Sequence, residues 1–163
     1  LFIGKNNAHI KINSIIVKNN FQKIFLKYKK KNYMIKVPLI GLFQIKNLLM
    51  SLIAAKNSGL NLNRMLKDIK RIKPVNGRLE LIKILSNKAK IFIDYAHTPD
   101  ALEASLKTLK EHYGIKSDVV FGCGGGRDKK KRPIMAKVSE KNAEDIYITD
   151  DNPRDENPKK LDR

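Results

Sequence analysis

The stretch Ile91 to Asp100, IFIDYAHTPD, decides how the rest of the chain is read. Ile91, Phe92 and Ile93 form the short apolar run of a parallel-sheet strand with both faces covered, and Asp94 ends it. Thr98 suits a helix N-cap, Pro99 the first helical position, and Asp100 the positive end of the helix dipole. A buried strand therefore passes to a helix through a polar turn that carries Asp94, Tyr95 and His97.

Downstream the same rhythm repeats. A helix is predicted over Pro99 to Tyr113 with Leu102, Leu106 and Leu109 inward, then a strand over Val119 to Phe121 and a glycine loop. A helix over Pro133 to Asn142 and a strand over Ile146 to Thr149 follow. This alternation predicts βαβ units with right-handed crossovers and a parallel, Rossmann-like sheet. Three unusual polar segments, 94–98, 122–132 and 150–154, each follow directly on one of the three apolar strands. A shared parallel sheet would place all three at its C-terminal edge, where open α/β folds bind ligands.

Upstream the period is different. Residues 9–17, 21–28 and 33–37 alternate apolar and polar positions, separated by the turn candidates Asn19-Asn20 and Lys31-Asn32, which predicts a small antiparallel meander. After Gly41 the spacing of Ile45, Leu48, Leu49, Leu52 and Ile53 is helical and stops at Ser58-Gly59. A second helix follows the Asn61 cap, with Leu62, Met65, Leu66 and Ile69 inward. RIKPVNG, 71–77, is turn chemistry, so a boundary is placed between residues 75 and 76, and Arg78 to Leu85 reads as a strand. The fold class is thus α/β, a meander plus two helices followed by the parallel sheet.

The chain has 34 Lys+Arg against 16 Asp+Glu, a net charge of +18. That balance admits a nucleic-acid-binding module. Against it, 7 of the 34 basic residues are Arg, Lys, Asn and Ile are all abundant, and the basic runs 29–31 and 129–132 lie far apart without interleaved aromatics. Solvated surface explains most of the charge, and neither nucleic acid nor membrane is expected as a partner. Cys123 is the single cysteine, which excludes an internal disulfide and fits a reducing, cytoplasmic setting. The start at Leu1 and the stop after a polar loop read as a piece of a longer protein.

Three motifs carry chemistry. FGCGGGRDKKKRP, 121–133, joins glycines that allow close backbone approach to Arg127, Lys129, Lys130, Lys131 and Arg132, an anion site before a helix. It is neither a Walker A loop nor the dinucleotide fingerprint, and its bland alternative is a flexible basic loop. Asp94, His97 and Asp100 have the types of metal ligands, but capping occupies Asp100, and a carboxylate holding a ribose hydroxyl or orienting a base suits Asp94 better. TDDNPR, 149–154, is a turn in the simplest view, yet Arg154 beside Asn152 is suited to two-point carboxylate binding. Asn47 lies off the apolar face of its helix, while His9 and His112 read as surface histidines.

Taken together, GLF at 41–43 followed by Asn47, GRLE at 77–80, DYAHTPDAL at 94–102, FGCGGGRDKKKRP and TDDNPR resemble the Mur ligases, in the branch that adds meso-diaminopimelate. The resemblance implies the end of a central ATPase domain (1–75) and the start of the C-terminal ligase domain (76–163). It implies ATP-dependent amide formation through an acyl phosphate, with Mg2+ ligands outside this chain, no catalytic residue within it, and a monomeric enzyme. Asn47, Arg78, Asp94 and His97 would lie at the adenosine, and Lys129 and Lys131 at the phosphates. Arg127, Asn152 and Arg154 would hold diaminopimelate, with a UDP-N-acetylmuramoyl dipeptide as the other substrate. A lysine-adding or folylpolyglutamate-type ligase is the alternative within the same chemistry. Gln44 and Gly126 depart from the family pattern, where Asn and Asp are usual, and no GTNGKT-type P-loop is present.

Overall fold

A computed structural model describes residues 3–4, 10–18 and 21–157. The chain divides into two compact units, Leu1–Glu80 and Leu81–Arg163.

The first unit opens with a four-stranded sheet in the order β1 (Ile3–Gly4), β2 (Ile10–Lys18), β3 (Phe21–Tyr28) and β4 (Lys31–Val37). The last three are the antiparallel meander expected from the alternation; the short β1, which pairs parallel to β2, was not legible. His9 and the Asn19-Asn20 turn lie outside the described residues. The second turn falls on Lys29 and Lys30 rather than Lys31-Asn32, with Lys29 at φ 54. Period two places Ile10, Ile12, Ile24, Leu26, Ile35 and Val37 on the inner face, each at 7% exposure or less. Helix α1 (Leu42–Asn57) lays Ile45, Leu49, Leu52 and Ile53 against that face. Asn61 caps α2 (Leu62–Asp68) by accepting from Arg64 N at 3.2 Å, and a 3-10 turn, Ile69–Arg71, adds Ile69 to the same core.

Strand β5 (Glu80–Ile84), which starts on the last residue of the first unit, pairs with β6 (Lys90–Ile93) in a two-stranded sheet. The link between them is a tight turn in which Leu85 N bonds Ala89 O at 2.8 Å and Lys88 sits at φ 67. Helix α3 (Pro99–Tyr113) begins as the sequence requires, with Thr98 Oγ1 accepting from Ala101 N at 3.3 Å, and ends on Gly114 at φ 79. Strands β7 (Val119–Phe121) and β8 (Ile146–Ile148) pair in parallel across α4 (Lys131–Asn142), which starts two residues before Pro133. Leu102 and Leu106 of α3 meet Met135 of α4 and Ala143 in a small core, with Val119 and Phe121 packed against it.

Two expectations are corrected. Strand β6 pairs with β5 and is not a member of the β7–β8 sheet, so the three strands do not form one parallel sheet. Ile91 and Ile93 are 43% and 51% exposed rather than buried, because the hairpin is covered on the Phe92 side only, where Phe92 meets Tyr113 at a ring separation of 5.8 Å.

Candidate functional site

The DYAHT turn is built from within. Asp94 Oδ1 accepts from Ser105 Oγ at 3.0 Å, and Ser105 is buried on α3 two turns beyond its cap. That bond fixes the direction of the carboxylate. The Nδ1 atom of His97 lies 3.1 Å from Tyr95 O, and the two rings meet edge to face at 5.1 Å. His97 remains exposed. Among the described residues no three His, Cys, Asp or Glu side chains converge on a point.

The glycine loop lies flush against the loop after β8. A Cβ at Gly122 would stand 2.4 Å from Thr149 O, and one at Gly125 only 1.9 Å from Pro153 O. Neither distance is physically accessible to a side chain, so glycine at these two positions is a packing requirement. Gly125 N bonds Asn152 O at 2.9 Å across the same seam. Gly126 at φ +61 would bring a Cβ within 3.4 Å of Arg154 Cδ, so the Arg154 side chain runs over this glycine. The left-handed φ also accounts for the departure from Asp at this position, since Asp and Gly are both among the residues that adopt it.

Arg154 itself sits at φ 50, and its N–H is accepted by Asn152 Oδ1 at 3.1 Å. Asn152 thus shapes the turn with its amide oxygen, leaving its NH2 as the group able to meet a ligand. Arg127 and Arg154 are exposed, and among the described residues neither is ion-paired. Lys131 donates to His97 O at 2.9 Å, which ties the glycine loop to the DYAHT turn. The three polar segments therefore do come together, joined by this bond and by the glycine seam rather than by one sheet edge.

Glu156 is the residue that the sequence did not point to. Its two oxygens accept from both ends of the Arg132 guanidinium at 3.0 and 3.1 Å, and Oε1 also accepts from Gly126 N at 2.7 Å. Lys129 Nζ stands 3.3 Å from Oε2. The Arg132 fork, the Gly126 amide and Lys129 together pull the Glu156 carboxyl down to about 2. Burial raises the Cys123 thiol, whose sulfur rests 3.8 Å from Met135 Sδ.

The remaining sequence candidates belong to the first unit. Asn47 is exposed on α1, where its carbonyl accepts from Ser51 Oγ at 3.0 Å. Gln44, the other departure from the family pattern, is buried and donates to Arg78 O at 3.1 Å, which anchors the backbone from which the exposed Arg78 side chain projects. Glu80 Oε2 accepts from Gly77 N at 2.7 Å and closes the same turn. His112, read as a surface residue, is half-buried and stacks edge-on against Tyr113 at 4.6 Å.

Residues 77–163 match the family model described as Mur ligase, glutamate ligase domain. The chain belongs to the Mur ligase family. It is 46% identical over 121 residues to a UDP-N-acetylmuramoyl-L-alanyl-D-glutamate--2,6-diaminopimelate ligase of Vibrio vulnificus, covering 74% of this chain and 24% of that protein. A relative of the same name from Rickettsia bellii is 41% identical over 165 residues, covering 99% of this chain and 33% of its own length. The chain thus spans about a quarter to a third of the length of these curated Mur ligase relatives. A solved structure of a ligase with this name superposes with a TM-score of 0.64 at 35% identity, over 96% of this chain and 32% of that one. Mycobacterium tuberculosis folylpolyglutamate synthase complexed with ADP reaches 0.72 at 21% identity, over 91% and 33%, a likeness of fold alone. No helix of the described residues is long and apolar enough to cross a membrane.

Proposed function

We propose that this chain is part of an ATP-dependent ligase that joins meso-diaminopimelate to UDP-N-acetylmuramoyl-L-alanyl-D-glutamate in the cytoplasm, acting as a monomer. The observation that carries the reading is the pair of exposed guanidinia, Arg127 and Arg154, unpaired among the described residues and set on two loops that interlock. The names of the relatives agree with it. Diaminopimelate differs from lysine by a second carboxylate, and a planar guanidinium can take a carboxylate by two parallel bonds. Arg127, Asn152 and Arg154 are the proposed amino-acid site.

In the reaction a substrate carboxylate oxygen attacks the γ-phosphorus of ATP and ADP leaves. The diaminopimelate amine then attacks the acyl carbon, phosphate departs, and the amine proton passes to solvent or a base. Asn47, Arg78, Asp94 and His97 are proposed for the adenosine. Lys131 and Lys129 are proposed for the phosphate side; each already has one protein acceptor, and an ammonium retains two further donors. Mg2+ would neutralise phosphate charge, with ligands in sequence outside this chain. The domain assignment, 1–75 as the end of the ATPase domain and 76–163 as the start of the ligase domain, is part of the same proposal.

The test is Arg154→Ala in the full-length protein. The KM for diaminopimelate should rise by about 10- to 10²-fold, as loss of a charge-assisted contact of roughly 1.5–3 kcal/mol requires, with the KM for ATP within about twofold. Arg78→Ala should show the opposite split. Equal effects on both substrates would refute the assignment.

A further inference from the structure

The geometry points to Glu156 as a positioning residue for amino-acid recognition, a clamp that locks the glycine loop to the loop after β8 and so sets the spacing of Arg127 and Arg154. This rests on the preceding functional reading for what the two arginines bind, but not for the clamp itself.

Four donors on one loop meet a single carboxylate on the other: two from Arg132 at 3.0 and 3.1 Å, the Gly126 amide at 2.7 Å and Lys129 at 3.3 Å. Glu156 and Arg132 are well shielded, with side-chain exposures of 17% and 14%. The clamp sits next to both ligand groups. Gly126 is joined directly to Arg127, and its α-carbon faces the Arg154 side chain. Glu156 N in turn bonds Pro153 O at 3.0 Å, so the carboxylate is carried on the same short turn as Arg154. Six cationic side chains crowd the two loops, Arg127, Lys129, Lys130, Lys131, Arg132 and Arg154, and Glu156 takes two of them, Arg132 and Lys129. Without that neutralisation Arg132 would compete for any incoming carboxylate with the wrong geometry. The clamp both sets the spacing of the Arg127 and Arg154 guanidinia and removes a decoy.

The strain in the loop fits this role. Arg154 at φ 50 is a conformation that a side-chain-bearing residue holds only when its surroundings dictate it. The Asn152 bond below and the Glu156 clamp above supply the constraint.

The test uses the full-length protein and the variants Glu156→Ala and Glu156→Gln, the latter keeping an acceptor for Gly126 N while losing the charge. Two measurements are made: amide hydrogen exchange of peptides covering 122–132 and 149–157, and the separate KM values for diaminopimelate and ATP. Glu156→Ala should speed exchange in these two segments by tenfold or more, with no change in residues 10–57. It should raise the KM for diaminopimelate at least tenfold and by a larger factor than that for ATP, and Glu156→Gln should fall between Ala and wild type on both readings. Unchanged exchange in both segments overturns the clamp. Faster exchange with an unchanged diaminopimelate KM overturns the positioning role. Should Glu156→Ala fail to fold, Glu156→Gln decides by the same two readings. A wild-type protein that does not use diaminopimelate would sink the functional reading alone, since the exchange result still decides the clamp.

Discussion

The two units of this chain are held together by different means. In the first, side chains do the work: Ile24 and Ile45 are fully buried, with Ile35, Val37 and Leu49 at 2% exposure or less. In the second, the strands expose much of their apolar surface, with Ile82, Ile84, Val120 and Ile148 at 50% or more. What is tight there is the backbone of two loops and the ion cluster at their end. The difference teaches where recognition can reside. A packed meander presents an invariant face, whereas polar loops in mutual contact can aim charged groups outward while remaining fixed.

The largest expected effect breaks the comparison on its first side. Leu49→Ala removes a side chain at 1% exposure from the α1–sheet core, which should cost about 2–5 kcal/mol. Chemical denaturation should show this as a lower midpoint for the first unit. Hydrogen exchange in the glycine loop should be unaffected. Loss of protection there as well would show that the two units are not independent in stability.

Gly125→Ala breaks it on the second side. A methyl 1.9 Å from Pro153 O must push the two loops apart by more than 1 Å. A displacement of that size near the reacting groups costs on the order of 10²-fold in activity. Activity in the full-length protein should fall by about that factor while the Leu49 core stays intact by near-ultraviolet dichroism. Wild-type activity would mean that the seam is not needed.

These contrasts also explain what the sequence could and could not reveal. Period-two alternation located β2 to β4 within a few residues because one face is buried and the other is Lys-rich and wet. Thr98, Pro99 and Gly114 defined α3 because cap chemistry is local. Sheet membership of β6 was not legible: an apolar run such as IFI reads the same in a central strand and in a hairpin covered on one side. The three candidate loops were found by their composition, and their meeting survived the failure of the single-sheet argument because the glycine seam and Lys131 join them instead. Glu156 gave no signal. In DEN after DNPR it looks like ordinary surface charge, and only the fold brings it 24 residues back to Arg132.

A smaller effect sharpens the comparison. Thr98→Ala removes the Oγ1 acceptor for Ala101 N and should cost about 1 kcal/mol, felt in the second unit only. Thr98→Ser should recover most of it. Thermal unfolding of the three proteins would distinguish a capping loss from a general one, which serine would not rescue.

The smallest effect concerns charge at the loop seam. Glu156 has a folded-state value of about 2 against an ordinary 4.5, so it binds a proton less readily folded than unfolded. Its contribution to stability is therefore complete above 4.5 and is lost as pH falls from there through about 2. The magnitude is modest because the cluster is open to solvent and salt on its Lys129 side, where that side chain is 69% exposed. The amide resonance of Gly126 reports it directly, since its proton points at Oε1. On acidification from neutral pH that resonance should hold steady through 4.5, where unperturbed glutamates titrate, and move only toward 2. High salt should bring the midpoint upward. A Gly126 amide that titrates near 4.5 in low salt would show that the carboxylate is not held by Arg132 in solution, and the loops of the second unit would then have only their glycine seam to fix them.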